Sequence, residues 1–179
     1  MALINTTTTG IQGTTIYADG TGALTIQQNG ATLGTYGSIP AFSAIRTGSN
    51  ISLSVSTWTK VTLNGVDFDT NNSVNTSTGV ITPNVAGYYQ LSGSIYINYS
   101  SSAVNRMGIR IYKNGAHLRG DSTTGTTAFY GVIQIGSLVY MNGTTDYLEL
   151  YALQASSSDA VVLAAGQYTY LTGVLVKAA

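Results

Sequence analysis

Between Tyr88 and Tyr99 the chain alternates with a period of two. Tyr89, Leu91, Ile95, Ile97 and Tyr99 fall on one side of an extended backbone, and Gln90, Ser92, Ser94 and Asn98 fall on the other. This pattern predicts a strand with one buried face. Met107, Ile109 and Ile111 repeat it against Arg110 and Tyr112, and Asn114-Gly115 follows directly. Asn-Gly tolerates positive φ at both central residues, so a tight hairpin is predicted there. Asn29-Gly30, Asn64-Gly65, Asn142-Gly143 and Asp19-Gly20 have the same turn chemistry. Ala128 to Tyr140, Tyr147 to Ala155 and Gln167 to Val176 also read as strands, the last one central in its sheet. No window sustains apolar residues at helical spacing. Short strands punctuated in this way define an all-β sandwich or barrel.

Composition narrows the function. Only 8% of the 179 residues are charged, with seven Lys+Arg against seven Asp+Glu. A long run of phosphates cannot be neutralised by so few cations, so nucleic acid is excluded as a partner. No stretch approaches the ~20 apolar residues of a membrane span. With no Cys, disulfides, thiol nucleophiles and thiolate metal sites are all excluded. The N-terminus has neither the basic region nor the apolar run of a secretory signal. Work outside a cell would then require another route, such as incorporation into a virus particle.

Near Pro40 the composition changes. Before it, Thr6 to Thr9 and repeated glycines interrupt two apolar stretches, Thr14 to Ala18 and Ala23 to Gln28, which predict a hairpin about Asp19-Gly20. A lone hairpin is marginal in water, so this segment has to dock on a partner or a sister subunit. The expected division is a short, extended N-terminal β arm over 1–40 and a jelly-roll domain over 41–179. Leu3, Ile4, Ile16, Tyr17, Leu24 and Ile26 are the candidate anchoring residues of the arm.

From Ala41 onward four ordered motifs carry a family resemblance: Ala41-Phe42-Ser43-Ala44; Phe68-Asp69-Thr70 with Thr78-Gly79-Val80-Ile81-Thr82-Pro83 and Ala86-Gly87-Tyr88-Tyr89; Ile109 to Gly115; and Tyr170 to Val176. Together they resemble the C1q/TNF-like domain. The resemblance implies a ten-stranded jelly roll that assembles as a homotrimer through apolar and aromatic faces. The family's collagen-like stem is missing, and the acidic residues are too scattered for the calcium sites of some relatives. Ile16 to Gln27 with Asn29-Gly30 resembles leaders of bacteriophage virion proteins, which attach a trimeric C-terminal domain to a particle.

Signals for catalysis are weak. His117 is the only histidine, and no Gly-x-Ser-x-Gly elbow offers it a nucleophile. A polar residue on an exposed hairpin is the simpler reading. Asp67-x-Asp69-x-Asn71 opens like a calcium loop, but Asn72 stands where Gly is needed and Thr78 where Glu is needed. Asp146 and Glu149 could form a glycosidase-like pair only by folding together. No catalytic residue, metal or cofactor is therefore assigned. Arg106, Arg110, Lys113 and Arg119 place four of the seven cations in one hairpin. They form either a solvated face or a patch for an acidic partner surface or an anionic cell-surface glycan. Arg110 and Tyr112 share a strand face and could stack on a sugar.

Thirteen tyrosines are the largest aromatic resource of the chain, and tyrosine suits interfaces. Tyr88, Tyr89, Tyr151 and Tyr170 are the candidates for a trimer interface. The expected function is that of a capsid decoration, or cement, protein on the virion surface, assembled in the host cytoplasm with the major capsid protein as partner. The alternative is a fibre tip that binds a host cell-surface receptor or glycan.

Overall fold

The computed structural model describes residues 15–18, 24–28, 31–36, 39–99, 104–124, 130–156 and 160–179, with side chains for 39–98, 106–124, 131–155 and 160–179. The chain divides into two units, Met1–Ile39 and Pro40–Ala179. In the first, β1 (Thr15–Ala18), β2 (Leu24–Gln28) and β3 (Ala31–Tyr36) form an antiparallel sheet in that order. Ile16 stands opposite Ile26, and Ala18 opposite Leu24. Positions 16, 24 and 26 therefore share a face, and position 17 lies on the other. The sequence predicts the β1–β2 pairing but not β3, whose alternation is diluted by Thr32, Gly34 and Thr35. Leu3, Ile4, Asp19-Gly20 and Asn29-Gly30 lie outside the described residues.

The second unit contains β4 (Ala41–Ile45), β5 (Ile51–Leu53), β6 (Thr59–Lys60), β7 (Gly65–Asp69), β8 (Val74–Asn75), β9 (Val80–Ile81) and β10 (Gly87–Tyr99). It continues with β11 (Val104–Lys113), β12 (Ala116–Thr123), β13 (Tyr130–Met141), β14 (Leu148–Ser156), β15 (Ala160–Val162) and β16 (Tyr170–Ala178). One sheet has the order β5-β15-β10-β16-β4-β7, with β13 on the other side of β10. The second has the order β12-β11-β14-β9-β8, with β6 also on β14. The last strand is central, as expected, lying between β10 and β4.

The alternation of β10 becomes its burial pattern. Tyr89, Leu91, Ile95 and Ile97 are buried against Ile109, Ile111, Leu148 and Leu150 of the facing sheet. Removing each such side chain from water contributes about 1.5–3 kcal/mol. Ser94 departs from the expected alternation, since it lies on the opposite face and is buried as well, with a hydroxyl that finds no partner. At the β11–β12 turn, Asn114 (φ 54°) and Gly115 (φ 74°) both adopt positive φ, so the predicted tight hairpin forms. The other two described Asn-Gly pairs do not make two-residue hairpins. Asn64 accepts a hydrogen bond from the Thr47 N–H at 2.9 Å. Asn142 accepts from the N–H groups of Thr144, Thr145 and Asp146 at 2.9, 3.0 and 3.0 Å. In both places the amide side chain satisfies backbone that a hairpin ladder would otherwise use.

Candidate functional site

Two surfaces of the jelly roll carry unusual chemistry, and both follow from strand parity. Because Tyr89, Leu91, Val139 and Met141 face the core, Tyr88, Gln90, Ser92, Leu138 and Tyr140 face outward from the larger sheet. Cross-strand rows on this outer face read Ala41, Val174, Gln90, Leu138 and, beside it, Phe68, Ser43, Thr172, Ser92, Gly136. Phe68, Tyr88, Val132, Leu138, Tyr140 and Val174 are all exposed, between 39% (Val174) and 55% (Leu138). Tyr88 and Tyr140 stand directly opposite one another and meet edge to face, with ring centres 5.4 Å apart. A depression of about 500 Å³ is lined by Phe68, Gln90, Ser92, Thr172 and Val174. The face therefore combines projecting rings with a hollow left by small residues.

The four candidate interface tyrosines separate. Tyr88 and Tyr170 belong to this outer face, since Tyr170 stands opposite Ser94. Tyr89 is a core residue whose hydroxyl donates to the Val85 carbonyl at 2.9 Å. Burial pushes that hydroxyl above its ordinary value of 10.0, against the opposing effect of the Val85 bond. Tyr151 lies on the other sheet, stacked on Tyr112 at 4.0 Å and 19°. Its hydroxyl is also raised above 10.0, by burial first and then by the Glu149 charge and the Tyr112 and Tyr147 hydroxyls.

On the smaller sheet, Ile109 and Ile111 point inward, so Arg110 and Tyr112 point outward. The Arg110 guanidinium lies over the Trp58 ring, 3.9 Å from its centre. Two glycines make room for this arrangement. A Cβ on Gly108 would stand 2.7 Å from Trp58 Cη2, and one on Gly120 would stand 2.9 Å from both Arg110 Cγ and His117 Nε2. His117 lies beside Tyr112, with ring centres 6.1 Å apart. An open cleft of about 200 Å³ results, lined by Trp58, Arg106, Arg110, His117, Asp121 and Ser122 beside Gly120.

Of the four hairpin cations, Arg106 and Arg110 come together in this cleft. Lys113 is directed elsewhere: its ammonium is 2.8 Å from Asp146 Oδ2 and donates to the Tyr140 carbonyl at 2.7 Å. Arg119 pairs with the core residue Ile111 and donates to the Leu118 carbonyl at 3.1 Å. Trp58, which the structure brings under Arg110, is not among the candidates read from the sequence. The available signal was the pair of glycines, Gly108 and Gly120, inside strands that otherwise alternate.

The carboxylates considered in the sequence are held structurally. Asp146 pairs with Lys113, and Glu149 with Lys60 at 2.6 Å. Asp69 accepts from the N–H groups of Asn71 at 3.3 Å and Val74 at 2.8 Å, and Asp67 accepts from Ser43 Oγ at 3.0 Å. Among the described residues no group of three His, Cys, Asp or Glu is placed to hold a metal. Among them, too, no helix is long and apolar enough to cross a membrane.

This architecture of two antiparallel sheets has the fold of a C1q/TNF-like jelly roll. Similar solved structures include murine APRIL, at 12% identity and a TM-score of 0.61, covering 77% of this chain and 99% of that one. The globular domain of zebrafish complement 1qA is 17% identical, with a TM-score of 0.56 and coverage of 78% and 99%. The PRD1 vertex protein is 16% identical, with a TM-score of 0.56 and coverage of 79% and 100%. No protein-family model matches the sequence, and no curated protein does either. At these identities the likeness is one of fold.

Proposed function

We propose that this chain is a non-enzymatic structural protein of a bacteriophage particle, a homotrimer that decorates the capsid surface and cements it through its N-terminal arm, residues 1–40. The observation that carries this reading is the apolar outer face of the larger sheet, with Phe68, Tyr88, Val132, Leu138, Tyr140 and Val174 all exposed. Completing the burial of a half-exposed side chain of this kind is worth ~1 kcal/mol, or about 6 kcal/mol per protomer for the six before association costs. Few charges need to be desolvated when such a surface closes, because only 8% of the chain is charged. A trimer is the assembly that the C1q/TNF-like resemblance implies. The fold of a vertex protein, that of PRD1, supports the virion setting. Three arms on one trimer bind as successive intramolecular events, which is how weak individual contacts with the major capsid protein resist outward pressure.

The test combines sedimentation of the purified chain with its binding to capsids. The expected result is a trimer that co-sediments with capsids, and loss of that binding when residues 1–39 are removed. Capsids without the protein are expected to open at lower temperature. A monomer would overturn the assembly, and undiminished binding by the truncated chain would overturn the anchor.

A further inference from the structure

We propose that the cleft between Trp58 and the β11–β12 hairpin binds an acidic sugar: a pyranose ring carrying one carboxylate and several hydroxyls. The cleft lies on the outer face of the smaller sheet, whereas the apolar face belongs to the larger one, so this inference stands or falls independently of the assembly proposed above.

Its chemistry comes from three groups that line one hollow. The first is the Arg110 guanidinium, which lies on Trp58 with 3.9 Å from its carbon to the ring centre. Stacking occupies a face of the planar cation and leaves its N–H edge available for a carboxylate, which it can grip with two parallel hydrogen bonds. Arg106 adds a second cation to the same hollow and is exposed. Neither arginine belongs to the ion pairs among the described residues, which are Lys60–Glu149 and Lys113–Asp146.

The second group is the pair Ser122 and His117, which stand opposite Gly108 and Tyr112 and so share the outward face of Arg110. A molecule with one carboxylate and several hydroxyls satisfies the arginines and these polar partners together, the Ser122 hydroxyl being able to donate or accept. The third is the indole itself. Trp58 sits against Gly108, and His117 and Arg110 sit against Gly120, in spaces that a Cβ would fill. At about 200 Å³ and open to solvent, the cleft is below the ~300–1,000 Å³ of pockets for drug-sized ligands and matches a single ring at a chain end.

The probe is D-glucuronate, and the reporter is intrinsic fluorescence, because Trp58 is the only tryptophan of the chain. The full chain is titrated to about 50 mM, well past the millimolar range of weak single-ring ligands. D-Glucose and acetate are titrated in parallel at matched ionic strength. The expected result is a saturable change with glucuronate and a response at least about fivefold weaker with either control. Arg106→Ala and Arg110→Lys are each expected to weaken glucuronate about tenfold, the second because an ammonium cannot reproduce the planar, two-point grip. Both variants are checked by circular dichroism for an unchanged strand spectrum, and Arg106→Ala leaves the Trp58–Arg110 stack in place. Equal affinity for glucose would show a neutral-sugar site, and equal affinity for acetate a simple anion site. Either result overturns the proposal, as does the absence of a saturable change, or undiminished binding by folded variants.

Discussion

The Lys113 ammonium stands 2.8 Å from the Asp146 carboxylate and ties the end of β11 to the loop that precedes β14. Asp146 also accepts from Asn114 Nδ2 at 2.7 Å and from the Asn142 N–H at 2.9 Å. Burial pushes its pKa up, but the hydrogen bonds from Asn114, Lys113 and Asn142 and the Lys113 charge outweigh this and hold it below the ordinary 3.8. The unfolded chain thus takes up a proton more readily than the folded one, so acid favours unfolding. This contribution to stability is complete above pH 3.8 and is lost as pH falls through the lower folded-state value. Urea midpoints measured between about pH 6 and pH 2 are predicted to drop at the acid end. In Asp146→Asn, part of that drop is expected to disappear; an unchanged profile would remove Asp146 as its source.

Asn114 does two jobs in the same corner. Its backbone adopts φ 54° in the turn, and its side chain also accepts from the Tyr147 N–H at 2.9 Å. Asn114→Ala is predicted to cost about 2–3 kcal/mol, combining a strained left-handed residue with two lost hydrogen bonds. Asn114→Gly relieves the backbone part, so its cost is expected to be smaller by about 1 kcal/mol. Denaturant titration of the two variants separates these contributions, and equal costs would show that the turn conformation is irrelevant.

The strand framework was legible because alternation is a local property. Tyr89, Leu91, Ile95 and Ile97 declare their common face within one segment, and the core confirms it. The cationic hairpin was not legible in the same way. Lys113 and Arg110 differ in parity, and a register shift between Ile111 and Tyr112 changes which β12 residues join Arg110 on its face. A one-residue slip of this kind moves a side chain to the other side of a sheet. Trp58 was hidden for another reason. Its seat is made by Gly108 and Gly120, on strands distant in sequence, and glycines identify a close approach without naming what approaches. Among the tyrosines, alternation already puts Tyr89 on the buried face with Leu91, Ile95 and Ile97 and Tyr88 on the opposite one, whereas the separation of Tyr151 and Tyr170 onto different sheets follows from pairings between distant segments.

Gly173 is predicted to be intolerant of any side chain. It lies in the central strand β16, between Phe42 and Leu91 in register. A Cβ there would stand 2.6 Å from Phe42 Cε1 and 2.8 Å from Leu91 Cδ2. Both neighbours are buried, so neither ring nor branch has room to yield. Gly173→Ala is expected to destabilise by about 1–3 kcal/mol through overpacking. In Gly173→Ala combined with Phe42→Leu, removal of the ring is expected to make the two costs less than additive. Additive costs in denaturant titrations would show that the ring and the glycine are not coupled.

Leu138 is the residue through which the apolar sheet face is best tested. Its side chain is 55% exposed, it stands opposite Gln90 on β10, and its neighbour two residues along, Tyr140, makes the edge contact with Tyr88. In the isolated protomer Leu138→Asp removes little packing and places a charge in water, so a change in stability within about 0.5 kcal/mol is expected of the monomer. In a trimer closed over this face, the same carboxylate is desolvated without a partner, which costs several kcal/mol. The predicted outcome is a folded monomer in sedimentation velocity, with the strand signature in circular dichroism retained. Arg119→Asp, which alters an exposed position on the other sheet, serves as the control and is expected to leave the sedimentation coefficient unchanged. If Leu138→Asp sediments with the parent chain, the larger sheet is not the subunit contact, and its exposed rings require another partner.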